Sequence, residues 1–574
     1  LTLFRYLPAF ILCFAPVFLH AGDHTDPNRT LTYDEAISRY RALDAKYEKA
    51  LLVTGGPTDV GRSLHLFIVS SDADFDPGSV RKKGKAVYFI NNAIHPGEPD
   101  GVDASLKLVT ELLGNKRYDS LLRKVVICII PVYNIDGALN RGCCSRVNQE
   151  GPEEYGFRGN ARNLDLNRDF IKADSKNTRS FIEFFRKWDP DVFVDTHVSN
   201  GADYQYTMTL IASQHNKLFP VIGSYMKEKM TPAVYDMMKA RDQEMCPYVN
   251  TLGDTPESGI VAFYEPPRFA TGYAALFNTL GFVSETHMLK PFPQRVKATL
   301  DLLITLLEYT ASHATAIMKI RKEAKLECSK KIEFPLEWKL DTTQFTLLNF
   351  KGYEARYKTS EVTGLQRLYY DREKPAEMPV RFYDTYRQSA SVERPNYYII
   401  PQAWAEVIDR LRWNHVSMTA FTADTTIEVE CYYITNYETG NQPYEGHYVH
   451  KNIAYRKTKQ RIKFYKGDML IPVNQDCNRF IVETLEPSAP DSYFAWGFFD
   501  SVLQQKEWFS DYVFEDIAAG ILNDDPVLKS EFEKRRAADK KFASDQWAML
   551  IYIYQHSKYY EKSHNRYPVY RINW

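Results

Sequence analysis

The chain has 574 residues, 44% of them hydrophobic and 25% charged, with a formal net charge of −1. That length exceeds one typical domain and predicts at least two folded parts. The near-neutral balance gives no electrostatic reason to expect a phosphate-tracking protein, which normally carries a basic excess, so nucleic acid is not expected as a partner.

In chain order, Arg5 precedes an apolar run, PAFILCFAPVFL, which gives way at Ala21-Gly22 to the polar stretch GDHTDPNRT. A positive start, a short apolar stretch and a small residue before polar sequence make up a secretory signal. Residues 1–21 are therefore expected to be a signal peptide and the mature chain to be secreted or periplasmic, with no membrane span after its removal. Of the eight cysteines, seven follow that segment, and an odd number leaves at least one thiol unpaired within a monomer. Adjacent Cys143 and Cys144 could each pair elsewhere.

Residues 32–50 carry apolar side chains at helical spacing. Thereafter apolar runs alternate with amphipathic ones. KAVYFINNAIH (85–95), KVVICIIPVYNID (124–136) and DVFVDTH (191–197) read as buried strands. DASLKLVTELLGN (103–115), NTRSFIEFFRKW (177–188) and the long 298–324 segment read as helices. Strands that are apolar on both faces, alternating with helices, predict an α/β fold: a mainly parallel mixed sheet flanked by helices. From about 330 the pattern shortens to alternating stretches such as KIEFPLEW, TTIEVECYYITNY and RIKFYKGDMLIPV, which predict a β-rich module. Residues 500–522 and 531–560 return to helical spacing and predict a helical C-terminal tail. The expected division is 1–21, 22–328 and 329–574.

Three segments carry chemistry. NNAIHPGEPDG puts His95 and Glu98 on a Pro-Gly turn just after a strand, where a parallel sheet delivers side chains to its crevice. FVDTH ends a second strand at His197. Two histidines and a glutamate leave a fourth coordination position open, as a catalytic zinc site requires. FRGNARNLDLNRDF (157–170) is dense in donors that could grip a carboxylate.

HPGE, PVYNIDG, the R-x-N and D-L-N-R-D-F segments, the histidine closing a later strand and a glutamate after FVS stand in the order found in the zinc carboxypeptidase family (M14 metallopeptidases). The chain resembles that family over about residues 30–310, and its two-part layout is similar to large bacterial members. The resemblance implies one zinc per chain on His95, Glu98 and His197, with Asp165 orienting the first histidine. It implies Glu285 as general base for water activated by zinc and Arg158 as the oxyanion holder, preferred over Arg162 because of the downstream Asn160. Asn167 and Arg168 match the pair that binds a substrate's terminal carboxylate, and either Tyr264 or Tyr273 could supply an active-site tyrosine. His287, two residues beyond Glu285, is read as structural, and His447 and His450 in the C-terminal half as surface or structural.

The implied reaction is hydrolysis of C-terminal peptide bonds in a peptide or protein with a free C-terminus. The alternatives are an amidase or carboxypeptidase on cell-wall peptides using the same site, and a non-catalytic peptide- or glycan-binding protein, for which Glu285 would have no use.

Overall fold

The computed structural model describes residues 27–573; the expected signal peptide lies outside them. The chain enters through a helix, Tyr33–Lys46, whose start is held by a reciprocal cap between Thr32 and Glu35. Nine strands follow in the first part: β1 (Ala50–Pro57), β2 (Ser63–Val69), β3 (Ala86–Asn91), β4 (Val125–Ile130), β5 (Val192–Ser199), β6 (Met208–Ala212), β7 (Met245–Pro247), β8 (Ile260–Val261) and β9 (Leu280–His287). Eight of them form one sheet in the order β1-β2-β4-β3-β5-β9-β6-β7. Its centre, β4-β3-β5-β9, is parallel, while β2 and β6 run antiparallel to the central strands they border. The sheet is thus mixed around the parallel core that the apolar runs predict.

Alternation along β3 sends neighbouring side chains to opposite faces. Phe89 packs against Phe181 and Phe185 of the helix Lys176–Trp188. Tyr88 donates to the carbonyl of Leu303 in the helix Phe292–Lys330. Both faces are covered, which is why β3 and β4 are buried along their whole length. From β3 the chain passes to β4 on one side and then returns to place β5 on the other, so the strand order reverses at β3. A crevice opens at such a point outside the carboxyl ends of the strands.

The long helix ends at Lys330 and the β-rich part begins at Glu333. Its strands are β10 (Glu333–Leu340), β11 (Thr346–Thr359), β12 (Gln366–Tyr383), β13 (Tyr386–Glu393), β14 (Tyr397–Ile400), β15 (Thr419–Ala420), β16 (Thr425–Thr439), β17 (His450–Phe464), β18 (Met469–Pro472) and, from the C-terminus, β19 (Tyr570–Ile572). The last six form a sheet in the order β15-β18-β14-β19-β16-β17. Among the tail helices, Asp511–Asp524, Pro526–Ala538 and Gln546–Gln555 close over an apolar cluster of their own, around Phe514, Phe532 and Leu550.

The two parts are joined by more than a linker. The largest apolar cluster runs without a break from Leu31 to Val569, and β8 pairs in parallel with β12. The rings of Phe277 and Phe480 stack across the junction at 5.3 Å. Arg479 donates to the carbonyls of Lys217 and Ala275 from a buried position. No helix among the described residues is long and apolar enough to cross a membrane. Two parts that share a core should unfold together. Calorimetry is expected to give one transition for this core, and Phe480→Ala, which empties a fully buried ring site, should destabilise it by about 3–5 kcal/mol.

Candidate active site

At the carboxyl end of β3 the backbone turns at once, and the amide of Glu98 bonds back to the carbonyl of His95 at 2.8 Å. The turn brings two side chains to one side where a continuing strand would splay them. The helix Asp100–Gly114 then starts so close to β5 that a Cβ on Gly101 would lie 2.0 Å from Thr196 Oγ1. Only glycine allows that approach, and it draws the His95–Glu98 turn toward His197 at the end of β5.

Ligand atoms of His95, Glu98 and His197 all lie within 4.8 Å of one another. Carboxylates set both imidazoles. His95 Nε2 is 2.9 Å from Asp165 Oδ1, and His197 Nε2 is 3.0 Å from Asp195 Oδ2. The Nδ1 atoms are thereby turned toward Glu98, at 3.3 Å from Oε1 for His95 and 2.9 Å from Oε2 for His197. His95 Nδ1 is buried with no hydrogen-bond partner. A buried nitrogen left unbonded, beside a second imidazole and a carboxylate whose outer atoms are tethered, fits a tetrahedral divalent ion such as zinc.

The charges follow from this packing. Burial alone would raise the Glu98 carboxyl, but Arg146 and the two histidines outweigh it and hold it well below the usual range. Burial opposes the His197 imidazolium, yet Asp195 and Glu98 raise its pKa well above normal. Asp165 resists burial in the same way, kept strongly acidic by His95 and Arg158.

These residues open onto a cavity of about 220 Å³ that Arg158, Asn167, Arg168 and Glu285 also line. Parallel pairing sets His197 directly beside Glu285 on β9. Burial pushes the Glu285 carboxyl up to about 8; His197 pulls against that, while Glu98 and Glu265 add to it. A bound cation would draw it down again, since a positive charge favours the carboxylate. Arg158 contacts Asp165 at 2.8 Å and approaches Glu98 at 3.6 Å. Arg162 instead donates to the carbonyl of Asp174 and lines a different cavity. Asn167 Oδ1 accepts from the amide of Ala270, and the Arg168 guanidinium lies over the Phe269 ring.

The two tyrosines stand elsewhere. Phe263 and Glu265 line the cavity, whereas Tyr264 between them packs its ring on Tyr386. Tyr273 is fully buried and donates to Asn414 at 2.6 Å. The tyrosine that does line the cavity is Tyr248, which no local pattern marks. With Ile211 and Phe263 it also borders an apolar cavity of about 370 Å³ on the other side of this wall. His287 bonds the carbonyl of Ala202, His447 pairs with Asp174 and His450 with Asp500; none lines the cavity.

Three further contributors escape sequence reading. Arg146 reaches Glu98 from the loop after PVYNIDG. Glu265, 4% exposed, has an unpartnered Oε2, and burial raises its carboxyl to about 7 against the pull of Lys217. Glu445, between β16 and β17, accepts from the amide of Asp165 at 2.7 Å, so the C-terminal half braces the loop that holds His95. Cys143 and Cys144 bond to each other, and the other five cysteines among the described residues are buried and free.

A buried pair of histidines and a glutamate at a strand-end crevice, sharing a cavity with one more glutamate, is the layout of a zinc hydrolase. Residues 38–254 match the model of the family described as zinc carboxypeptidase, Peptidase M14. Over that segment, less than half of the chain, the protein is similar to this zinc-dependent family. It is similar to carboxypeptidase 2 of Trichophyton rubrum, at 22% identity over 77% of this chain and 79% of the relative. Carboxypeptidase 2 of Trichophyton equinum is likewise 22% identical, over 77% and 78%. Among solved structures, a metallo-carboxypeptidase from Burkholderia cenocepacia aligns with 49% of this chain and 70% of its own at 16% identity, with a TM-score of 0.37.

In the metal-free protein Glu265 and Glu285 keep protons that the unfolded chain loses near 4.5. Raised carboxyl pKa values give stability that is complete at low pH and declines as pH climbs through the folded values, here about 7 and about 8. Urea titrations of metal-free wild type and the Glu265→Gln/Glu285→Gln variant should therefore show the variant gaining relative stability between pH 5 and pH 8. A constant difference across that range would contradict the assignment.

Proposed function

We propose that the chain removes residues from the C-terminus of peptides, using one zinc ion held by His95, Glu98 and His197, with Glu285 as general base and acid. The observation that carries this reading is the single cavity in which the three ligands, Glu285, Arg158 and the Asn167-Arg168 pair converge. Zinc, when bound, supplies Lewis acidity and makes a water-derived nucleophile available near neutral pH.

The chain's own groups do the rest. Arg168 and Asn167 grip the terminal carboxylate, for which a guanidinium fork and an amide are suited in geometry and charge. That anchoring leaves the last peptide bond beside His197 and Glu285, and it selects an exopeptidase over an endopeptidase. Arg158, with its side chain 45% exposed toward the cavity, donates to the carbonyl oxygen as negative charge develops. One such donor is worth about 3–4 kcal/mol. A Glu285 carboxylate oxygen takes the proton of the attacking water and delivers it to the leaving amine nitrogen. Glu285 also separates this reading from that of a binding protein, because capture of a peptide needs no base. The cavity wall also bears Glu265, a buried acid with an unpartnered oxygen, which suits a terminal residue with a cationic side chain.

Glu285→Gln is expected to retain zinc by metal analysis and to lose at least about 100-fold in kcat on peptides with a free C-terminus, the usual scale for a lost acid–base group. Turnover close to wild type would remove Glu285 from the mechanism. Zinc in both proteins without cleavage of ordinary peptides would direct the assay to cell-wall peptides. For Glu265→Gln, kcat/KM on lysine-ending peptides should fall about tenfold or more relative to phenylalanine-ending ones, the scale of one lost charge-assisted bond. An unchanged ratio would exclude Glu265 as a selector.

A further inference from the structure

One guanidinium spans both segments that carry the candidate metal ligands. Arg146 Nη1 donates to Glu98 Oε1 at 2.7 Å, and Nη2 donates to the carbonyl of Val198, the residue after His197, at 2.8 Å. Its Nε is held by Gln149 Oε1 at 2.6 Å, while Gln149 Nε2 donates to the carbonyl of Gly97 at 2.9 Å. The Arg146 amide in turn bonds the hydroxyl of Tyr155 at 3.0 Å. The loop that carries these groups is closed by a reciprocal pair of backbone bonds between Gly142 and Tyr155.

The opposite edge of the Glu98 carboxylate is fixed as well, because its Oε2 accepts from the amide of Val198 at 2.9 Å. The carboxylate is thus clamped from both sides, and its plane and direction are set by groups that are not themselves ligands. Gly97 belongs to the same arrangement. A Cβ there would lie 2.8 Å from Arg146 Cδ, so the arginine stem passes over the turn only because that residue is glycine.

We propose that Arg146 is a positioning residue of the metal centre, fixing Glu98 and tying the His95–Glu98 turn to the end of β5. Its three nitrogens are all bonded within the protein and its side chain is 16% exposed, against 45% for Arg158. Arg158, paired with Asp165 on one edge of its fork, keeps the more exposed guanidinium for substrate; Arg146 is committed to Glu98. Residues that orient a ligand from outside typically change metal affinity 10–100-fold when replaced. The inference rests on the reading of His95, Glu98 and His197 as ligands.

Positioning can be separated from mere charge. Arg146→Lys keeps the positive charge but cannot bridge Glu98 and Val198 together, and Gly97→Ala keeps the arginine but displaces its stem. Zinc affinity is measured by competition with a chelator, alongside the visible spectrum of the cobalt(II)-loaded protein. Thermal unfolding of the metal-free variants verifies that the fold is intact. Positioning requires Arg146→Lys to bind zinc at least tenfold more weakly than wild type with an altered cobalt spectrum, and Gly97→Ala, where it folds, to do the same. Wild-type affinity and spectrum in Arg146→Lys would overturn the proposal, as would tighter zinc binding in Arg146→Met with no change in Arg146→Lys, which would show a purely electrostatic effect. Should wild type itself take up no zinc, the ligand assignment fails first and this inference with it.

Discussion

Both candidate imidazoles are held by their far nitrogens, His95 by Asp165 and His197 by Asp195, and much of the surrounding structure follows from keeping those two carboxylates in place. A buried carboxylate is tolerable only when it is paired and hydrogen-bonded. Asp195 meets that requirement within the sheet, where Asn91 on the neighbouring strand donates to its other oxygen at 3.0 Å. Asp165 lies on a loop and needs more. It accepts from the amide of Asn167 and from Arg158, and its own amide is taken by Glu445. The same bonds that orient His95 therefore also shape the loop bearing Asn167 and Arg168, so the candidate metal site and that loop are built as one unit.

The C-terminal half belongs to that unit. Arg410 donates to Asp174 and to the carbonyl of Lys172, and His447 reaches Asp174 from the other side. Around Glu265 in the cavity wall, Lys217, Arg268, Arg479, Glu483 and Asp491 make a largely buried group of ionisable side chains drawn from both parts of the chain. Such networks contribute little net stability, because desolvation offsets most of the attraction, but a member left unpaired is costly. Their arrangement penalises any relative shift of the two parts, which suits a cavity whose walls come from loops.

Legibility in the sequence tracks how local the determining physics is. The helices near 33–46, 100–114 and 176–188 and strands β3, β4 and β5 were readable because each has a periodic apolar pattern and a short-range cap or turn. Strands β1 and β2 were not singled out: β1 is only partly buried and carries two glycines, so its apolar pattern is diluted. The candidate ligand residues stand out because they lie at or just beyond the ends of buried strands, in a family order. The resemblance offers Tyr264 or Tyr273 for the site, but position along a loop says nothing about which way a side chain faces.

By itself the sequence determined the parallel core, the strand ends near His95, Glu98 and His197, the position of Glu285 at the end of β9's apolar run, and the change of texture near 330. Each depends on neighbours a few residues away, through alternation, helical spacing or a tight turn. Only the tertiary structure decided that Arg146 clamps Glu98, that Glu265 and Tyr248 face the cavity while Tyr264 faces away, and that Glu445 supports Asp165 across 280 positions of chain. Those contacts arise between segments brought together by packing of the whole core, and no local period or spacing encodes which donor will meet which acceptor.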